Sequence, residues 1–200
     1  MLGNDVVDLA AAAAPPRHER FDARAFCAAE RDAIAASADS ERMRWTFWAA
    51  KESAFKALSR SRRMTFVPRR FAVTPATGPS EPVWMHVAHA GRHVRVCVER
   101  CDRFLHAVAW SNPDLAASTL RAAAHVDDIA AGSTLSEAAR ALARVRIADA
   151  LGLGASELEI ARVGRVPRLA WRGAPLPGVL SLSHHGDFVA FAFRLAEYRA

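Results

Sequence analysis

Hydrophobic positions follow a helical period in one part of the chain and a strand period in the part after it. Apolar residues recur at three- and four-residue steps through Trp45, Trp48 and Leu58, and neither Pro nor Gly occurs between positions 41 and 63. We therefore predict a central helix over 42–58. Short apolar runs separated by Pro, Gly, Asn and Asp then predict strands at 65–67, 71–73, 83–87, 93–98 and 104–110.

The second half repeats this plan of one long helix followed by strands. Thr134 and Glu137 match a capping box that opens a helix continuing to Ala150, and Gly152 is suited to end it. Strands are predicted at 158–163, 168–171, 179–183 and 188–193.

The repetition favours an α+β fold with two pseudo-symmetric lobes, each a long helix packed on a small antiparallel sheet. The last hairpins of the two halves, 101–110 and 185–193, also look alike. We expect lobes at 1–112 and 133–200, joined by a connecting segment at 113–132 with one short helix. A site is expected in the cleft between the lobes.

The N-terminal residues predict a short strand over 1–9 that contains one acidic interruption, Asp5. Because acidic residues are unfavourable in strands, Asp5 is interpreted either as a turn or cap residue or as a metal ligand. A short amphipathic helical region is expected at 21–36, and Ser40 is a candidate N-cap for the central helix.

Composition narrows the class of protein. The chain is 52% hydrophobic, enough for a core, but no run approaches the roughly 18 apolar residues that span a membrane. The acidic start lacks the basic region of a signal peptide, so a cytoplasmic location is expected. Cys27, Cys97 and Cys101 are odd in number and lack zinc-site spacing, which predicts reduced thiols.

The net charge of +6 indicates an anionic partner, which could be nucleic acid, anionic lipid, a phosphate-rich ligand or an acidic protein. A cluster of arginines follows the central helix. Such a cluster is more often a solvated surface than a site, although it would suit phosphates or an acidic protein. Its members are Arg60, Arg62, Arg63, Arg69 and Arg70.

Two features of the central helix suggest chemistry. Glu52 shares the apolar stripe with Trp48 and Phe55, and a buried carboxylate is costly unless it is paired, protonated or bound to a metal. Lys51 and Lys56 are the only lysines among 27 basic residues, which suggests that the amine matters here. The simpler interpretation, an ordinary pair of Glu52 and Lys56 on a solvated helix, stays open.

Three separated motifs resemble the signatures of the phosphopantetheinyl transferases. They are GNDVVD at 3–8, WAAKESAFK at 48–56 and LSLSH at 180–184. Arg20 and Phe21, before the second motif, also resemble the holo-acyl-carrier-protein synthase branch. The resemblance implies the transferase fold and transfer of the phosphopantetheine arm of coenzyme A to a serine of an acidic apo acyl or peptidyl carrier protein. Mg²⁺ is the implied cofactor, and fatty-acid, polyketide or nonribosomal-peptide biosynthesis the implied pathway.

The order of the motifs departs from the two-lobed type that activates surfactin synthetase. In that type the Ser-His strand lies in the first lobe, whereas here it lies in the last, after a segment at 164–169 similar to that type's Gly-Lys-Pro segment. The resemblance therefore implies a circular permutation, which proteins tolerate where the termini lie close together.

Carried over to this chain, the resemblance implies that Asp5 and Glu52 bind Mg²⁺ together with pyrophosphate oxygens of coenzyme A. The two-lobed type has a second acid where this chain has Val7. Asp8, placed as in the synthase branch, is the candidate third ligand, but in a strand it points to the face opposite Asp5, and water is the alternative.

The resemblance also assigns cations to the phosphates. Lys56 would contact the pyrophosphate, and Lys51 would lie beside the carrier serine or the pantetheine phosphate. Ser183 and His184 would hold the adenosine 3′-phosphate, assisted by Arg165 or Arg168. In the implied mechanism Glu52 or a metal-bound water takes the serine proton, the serine oxygen attacks the β-phosphate, and 3′,5′-ADP leaves.

Two other functions stay open. A basic nucleic-acid-binding module would agree with the charge, but no helix-turn-helix, zinc-finger or aromatic RNA-binding signature is present, so neither nucleic acid nor a membrane is the expected partner. A coenzyme A-binding protein without transferase activity would agree with Val7. Two lobes in one chain make a monomer sufficient, and a monomer is expected.

Overall fold

The computed structural model describes residues 1–13, 20–60, 63–75, 82–130, 132–164 and 166–196. Arg62 and Arg165, both singled out above, lie outside these ranges. None of the helices in the described ranges is long and apolar enough to cross a membrane. No disulfide bond joins the three cysteines.

The first lobe is an antiparallel five-stranded sheet covered by helices. Its strands are β1 (Leu2–Asp8), β2 (Ala72–Pro75), β3 (Val83–His89), β4 (Arg92–Arg100) and β5 (Phe104–Trp110), in the spatial order β1-β5-β4-β3-β2. Its helices are α1 (Leu9–Ala13), α2 (Phe21–Ala25), α3 (Ala28–Ala36) and α4 (Ser40–Ser59). Strand β1 lies at the edge of the sheet and pairs with β5 along its whole length.

Helix α4 packs small residues on the sheet. Alanine has the highest helix propensity and lets the helix backbone come close to β1 and β5. The larger Trp48 and Phe55 are only partly buried, so the buried face is rotated from the stripe that the sequence predicts. Glu52 lies at the edge of this face, with 27% of its side chain exposed. The alanines without exposed surface are Ala49, Ala50, Ala54 and Ala57.

The second lobe packs one long helix on two small antiparallel sheets, in the spatial orders β10-β11-β6 and β7-β8-β9. Its helices are α5 (Asp127–Ala130) and α6 (Leu135–Leu151), and α6 has the predicted capping box and ends at Gly152 in the left-handed conformation. Its strands are β6 (Leu120–His125), β7 (Leu158–Val163), β8 (Val166–Trp171), β9 (Ala174–Leu176), β10 (Gly178–His185) and β11 (Phe188–Leu195). The predicted α+β fold with antiparallel sheets is confirmed.

Strand β1 contributes one face to each lobe. The side chain of Asp5 reaches α4, and Val7 packs in the core of the first lobe. On the other face, Leu2 and Val6 pack against apolar residues of β11, in two clusters separate from that core. Because side chains alternate along a strand, this one strand carries the site residues and also holds the lobes together.

Three local expectations about caps and elements differ from the structure. Asp39, not Ser40, caps α4, because its carboxylate accepts the N–H of Arg42 at 2.9 Å. The region 21–36 forms two helices, since Cys27 is extended and caps α3. Residues 65–67 are irregular.

The segment expected to be a connection, 113–132, contains β6. This strand pairs with β11 from Phe188 opposite His125 to Phe193 opposite Leu120, so it belongs to the second lobe. Its alanine-rich sequence has low strand propensity, which is why periodicity did not reveal it.

Candidate functional site

Asp5, Glu52 and Lys56 form one cluster where β1 meets α4. The Lys56 ammonium donates to Oδ1 of Asp5 at 2.7 Å and lies 3.7 Å from Oε2 of Glu52. Asp5 is 8% exposed, whereas Glu52 and Lys56 are 27% and 29% exposed, so the cluster opens to solvent on the helix side. The pair of Glu52 and Lys56 is therefore present, but it is joined by a buried carboxylate from another element.

The charges in this cluster depend on one another. Burial raises the pKa of Asp5, and Lys56 opposes that rise. Burial and then the charge of Asp5 raise the pKa of Glu52 to about 7. Burial alone would lower the pKa of Lys56, but the two carboxylates outweigh it and raise the pKa. Two neighbouring carboxylates that share one ammonium also favour a second cation.

Gly3 sets the distance between β1 and α4. A Cβ on Gly3 would lie 2.2 Å from the carbonyl oxygen of Ser53 and 2.4 Å from the amide nitrogen of Ala57. Only glycine permits this approach, which brings the Asp5 carboxylate within reach of Lys56.

A cleft of about 620 Å³ opens beside Lys56 between the two lobes. Its first-lobe wall includes the end of α4 and, after the helix, Arg60 and Arg63. Its second-lobe wall includes Val166 and Leu182. Among the described residues that line it, three carry positive charge and none is a carboxylate. The cleft therefore suits a polyanion with apolar portions.

Arg60 connects the lobes at this cleft. Its Nε donates to the carbonyl oxygen of Leu2 at 2.7 Å, and its Nη2 donates to the carbonyl oxygen of Leu180. Burial and then the charge of Arg168 lower the pKa of Arg60 to about 10. Two guanidinium groups thus act on each other beside the cleft, an arrangement that an anion would stabilise.

His184 lines a smaller pocket of about 260 Å³ with Arg140 and Arg162, which adjoins the cleft at Leu182. Burial and then Lys56 lower the pKa of His184, and Asp5 opposes them, so His184 lies within electrostatic range of the cluster. Ser183 is buried on the other side of the strand. The three sequence motifs therefore meet at one place.

Comparison with known families identifies the chain. The family model of the 4′-phosphopantetheinyl transferase superfamily matches residues 1–109, more than half of the chain. The match covers the strand and the helix that bring Asp5, Glu52 and Lys56 together. The chain belongs to the 4′-phosphopantetheinyl transferase superfamily. A search of curated protein sequences found no match.

Membership makes the chain a transferase of the phosphopantetheinyl kind, in a superfamily that takes the group from coenzyme A. The cationic cleft agrees with a substrate that carries phosphates. The family match ends in the first lobe, so the circular permutation stays a prediction.

The donors of Asp5 and Glu52 fit Mg²⁺. This ion prefers hard oxygen ligands and is usually held by one or two carboxylates, with substrate phosphates and water completing its shell. Within the described ranges no group of three or more His, Cys, Asp or Glu side chains could hold a metal alone. Two carboxylates would leave positions in the shell of Mg²⁺ for substrate oxygens and water.

The structure does not bring Lys51 to this cluster. Its side chain is fully buried, and its ammonium lies 2.7 Å from Oε2 of Glu30. It also donates to the carbonyl oxygen of Phe71. Burial lowers the pKa of Lys51, and Glu30 opposes this. The predicted contact with a carrier serine does not agree with this position, because the amine faces the lobe's interior; we assign Lys51 a structural role.

Asp8 also makes its contacts elsewhere. Its carboxylate accepts the N–H groups of Ala10, Ala11 and Asp187 at 2.9, 3.2 and 3.0 Å. Burial alone would raise the pKa of Asp8, but these backbone hydrogen bonds outweigh it and lower the pKa. The carboxylate thus caps α1 and fastens the β10–β11 turn to the first lobe, so we leave Asp8 out of the proposed metal ligands.

Sequence reasoning missed Asn4 and Glu30. Asn4 contacts Ser181 and Ser183, which lie more than 170 positions away, and no local sequence pattern predicts such a contact. Glu30 sits in a capping box with Cys27, and this local signal does not reveal its ion pair with Lys51. Arg60 was noticed only as one member of a basic cluster.

Proposed function

We propose that the protein transfers the 4′-phosphopantetheine arm of coenzyme A to a serine of an apo acyl or peptidyl carrier protein, with Mg²⁺ as cofactor. This is holo-acyl-carrier-protein synthase activity. The observation that carries the proposal is the pairing of both Asp5 and Glu52 with Lys56, whose side chain lines a cationic cleft. In a member of this superfamily, two carboxylates and an ammonium beside such a cleft would face the pyrophosphate of coenzyme A.

In this proposal the acidic residues of the site bind the metal ion, and the basic residues contact the phosphates of coenzyme A. Asp5 and Glu52 would hold Mg²⁺, which supplies charge neutralisation for the pyrophosphate. Lys56, held at 2.7 Å by Asp5, would present its ammonium to the same phosphates. Arg60 and Arg168 add positive charge along the cleft. Phosphoryl transfer relies mainly on such positioning and electrostatic stabilisation.

The second lobe would bind the nucleotide end of coenzyme A. His184 with Arg140 and Arg162 forms a pocket that suits the adenosine 3′-phosphate. The predicted contact of Ser183 with this phosphate does not agree with its position, because Ser183 is buried on the opposite face of the strand and accepts a hydrogen bond from Asn4. Arg165, which lies outside the described residues, stays a predicted contact.

In the proposed reaction the carrier serine oxygen forms a bond to the β-phosphorus of coenzyme A. The bond from that phosphorus to the bridging oxygen breaks, and 3′,5′-ADP leaves with the electron pair. Glu52 or a metal-bound water would take the serine proton, and Glu52 is the more exposed carboxylate of the pair.

The test is incubation of the full chain with coenzyme A, MgCl₂ and a panel of apo acyl, peptidyl and aryl carrier proteins. Intact-mass analysis should show addition of one phosphopantetheine group to at least one carrier. Absence of any addition across the panel would overturn the proposal.

Glu52→Gln keeps the size of the side chain and removes its charge, so it should lower transfer by about 100-fold or more. Glu159→Gln makes the same change on an exposed residue of β7 and should leave transfer unchanged. Full activity of Glu52→Gln would contradict the metal assignment.

A further inference from the structure

Asn4 is a fully buried polar residue on the face of β1 that meets the second lobe. Its neighbours on that face, Leu2 and Val6, pack against apolar residues of β11. An amide at this position costs free energy unless its hydrogen bonds compensate for the lost water. The contacts of Asn4 therefore need an explanation other than packing.

The hydrogen bonds of Asn4 cross to β10. Its backbone N–H donates to Oγ of Ser181 at 3.0 Å, and its Nδ2 donates to Oγ of Ser183 at 2.9 Å. Nδ2 also lies 3.4 Å from Nε2 of His106. Within the described part of the chain its Oδ1 has no hydrogen-bond partner. The shorter of the two contacts made by the Asn4 amide nitrogen is therefore the one to Ser183.

These contacts orient His184. Ser183 is held by Asn4, and Nδ1 of His185 accepts the backbone N–H of Asp8 at 3.1 Å. Both neighbours of His184 are therefore fastened to β1. Since successive side chains of a strand point to opposite faces, the His184 imidazole is turned away from β1 and into the pocket with Arg140 and Arg162.

We infer that Asn4 is a positioning residue that holds the Ser183–His184 strand in register with Asp5, and so matches the 3′-phosphate contacts of coenzyme A to its pyrophosphate contacts. The inference rests on the proposed function. Asn4 and Asp5 are adjacent on one strand, with Asp5 directed to α4 and Asn4 to β10. A shift of β10 along β1 would change the distance between the two ends of the bound nucleotide.

The experiment compares coenzyme A with 3′-dephospho-coenzyme A as donors, because only the first carries the phosphate that His184 would contact. For Asn4→Ala, kcat/KM with coenzyme A should fall by about 10- to 100-fold, the scale expected when a bound group is misplaced by an ångström. With the dephospho donor the fall should be within about threefold. The preference for coenzyme A should therefore shrink about tenfold.

Val6→Ala is the matched control. Val6 lies on the same face of β1, two residues from Asn4, and its truncation loosens the lobe contact without touching Ser183. It should lower thermal stability while the preference for coenzyme A stays within about twofold of the original. If Asn4→Ala does not fold, Asn4→Ser, which retains a short polar group, should show a smaller loss of preference in the same direction.

A double-mutant cycle separates an effect through Ser183 from a general loss of stability. In the Ser183→Ala background, Asn4→Ala should change the preference for coenzyme A by less than about twofold. Equal losses with both donors in Asn4→Ala, or full additivity with Ser183→Ala, would overturn the inference. Failure of the unmodified chain to transfer from either donor would instead overturn the proposed function.

Discussion

Gly3 lies against the backbone of Ser53 so closely that a Cβ at position 3 would be 2.2 Å from the Ser53 carbonyl oxygen. The obstacle is backbone on both sides, since Ala57 N would be 2.4 Å away, and no side-chain rotation can relieve it. The approach of β1 to α4 is also what brings Asp5 to Lys56. Stability and the site therefore depend on the same contact.

Gly3→Ala should accordingly destabilise the fold by about 3 kcal/mol or more, because β1 must move away from α4. Denaturant unfolding measures this loss. Gly154→Ala is the control, since the nearest atoms to a Cβ there belong to the flexible side chain of Glu157, at 3.2 Å or more, and the change should cost far less. Equal stabilities of the two variants would contradict the close approach.

Lys51→Met should destabilise the protein without disabling the site. Removal of the ammonium leaves Glu30 buried, where breaking an ion pair costs about 3–5 kcal/mol, or about 10 °C in Tm. Below its Tm the variant should transfer phosphopantetheine within about threefold of the original rate, because Lys51 faces away from the cleft.

Lys56→Met is the matched variant on the same helix. Its removal leaves Asp5, which is 8% exposed, without its cation, so Tm should also fall, but unlike Lys51→Met this change should lower transfer by about 100-fold. The measurements are Tm and single-turnover rate. The opposite pattern, with transfer lost in Lys51→Met and kept in Lys56→Met, would reverse the assignments.

Asp8→Ala tests whether this carboxylate is structural. Loss of its three backbone hydrogen bonds should lower the free energy of unfolding by about 2–3 kcal/mol. The Mg²⁺ concentration that gives half-maximal transfer should stay within about twofold, whereas Asp5→Asn should raise it about tenfold or more. A comparable rise for Asp8→Ala would restore Asp8 as a ligand.

Local patterns predicted the parts of the fold that local physics determines. The capping box at Thr134 and the apolar run over 104–110 both appear in the structure as α6 and β5. Strand β6 was missed because its alanines show no strand propensity, and pairing with β11 alone makes it a strand.

Some features of the site could likewise be predicted from local sequence, and others depend on tertiary packing. The sequence could identify three residues of the site because each is unusual where it stands. Asp5 is an acid in a strand, Glu52 is an acid on an apolar stripe, and Lys56 is one of only two lysines. The different roles of Lys51 and Lys56 could not be predicted from the sequence. Five positions apart in a helix, the two side chains lie on different faces, and only the packing of α3 shows which face meets Glu30.

Carrier modification should weaken as salt rises. The cleft is lined by Lys56, Arg60 and Arg63, and the net charge of the chain is +6, so an acidic carrier would be steered towards it. Between about 50 and 500 mM NaCl, kcat/KM for the carrier should fall several-fold. A salt-independent kcat/KM would argue against electrostatic steering.

His106 should make the protein sensitive to mild acid. Burial, and then the charges of Arg121 and Lys56, lower the pKa of His106 to about 3, although Oε2 of Glu99 lies 4.0 Å from its Nδ1. A base whose folded-state pKa lies below its unfolded value of 6.5 adds stability above pH 6.5, which is lost as the pH falls towards 3.

Between pH 7.5 and 5 the contribution of His106 to the free energy of unfolding should fall by about 2 kcal/mol, since each pH unit below 6.5 costs about 1.4 kcal/mol. His106→Gln removes the titrating imidazole. The difference in the free energy of unfolding between the original protein and this variant therefore reports the contribution of His106 without that of Glu52, which both proteins contain. The raised pKa of Glu52 acts in the opposite direction, since its stabilisation is present below pH 4.5 and is lost as the pH rises towards 7. Urea unfolding at each pH measures the difference, and parallel pH profiles for the two proteins would show that His106 is not held neutral by burial.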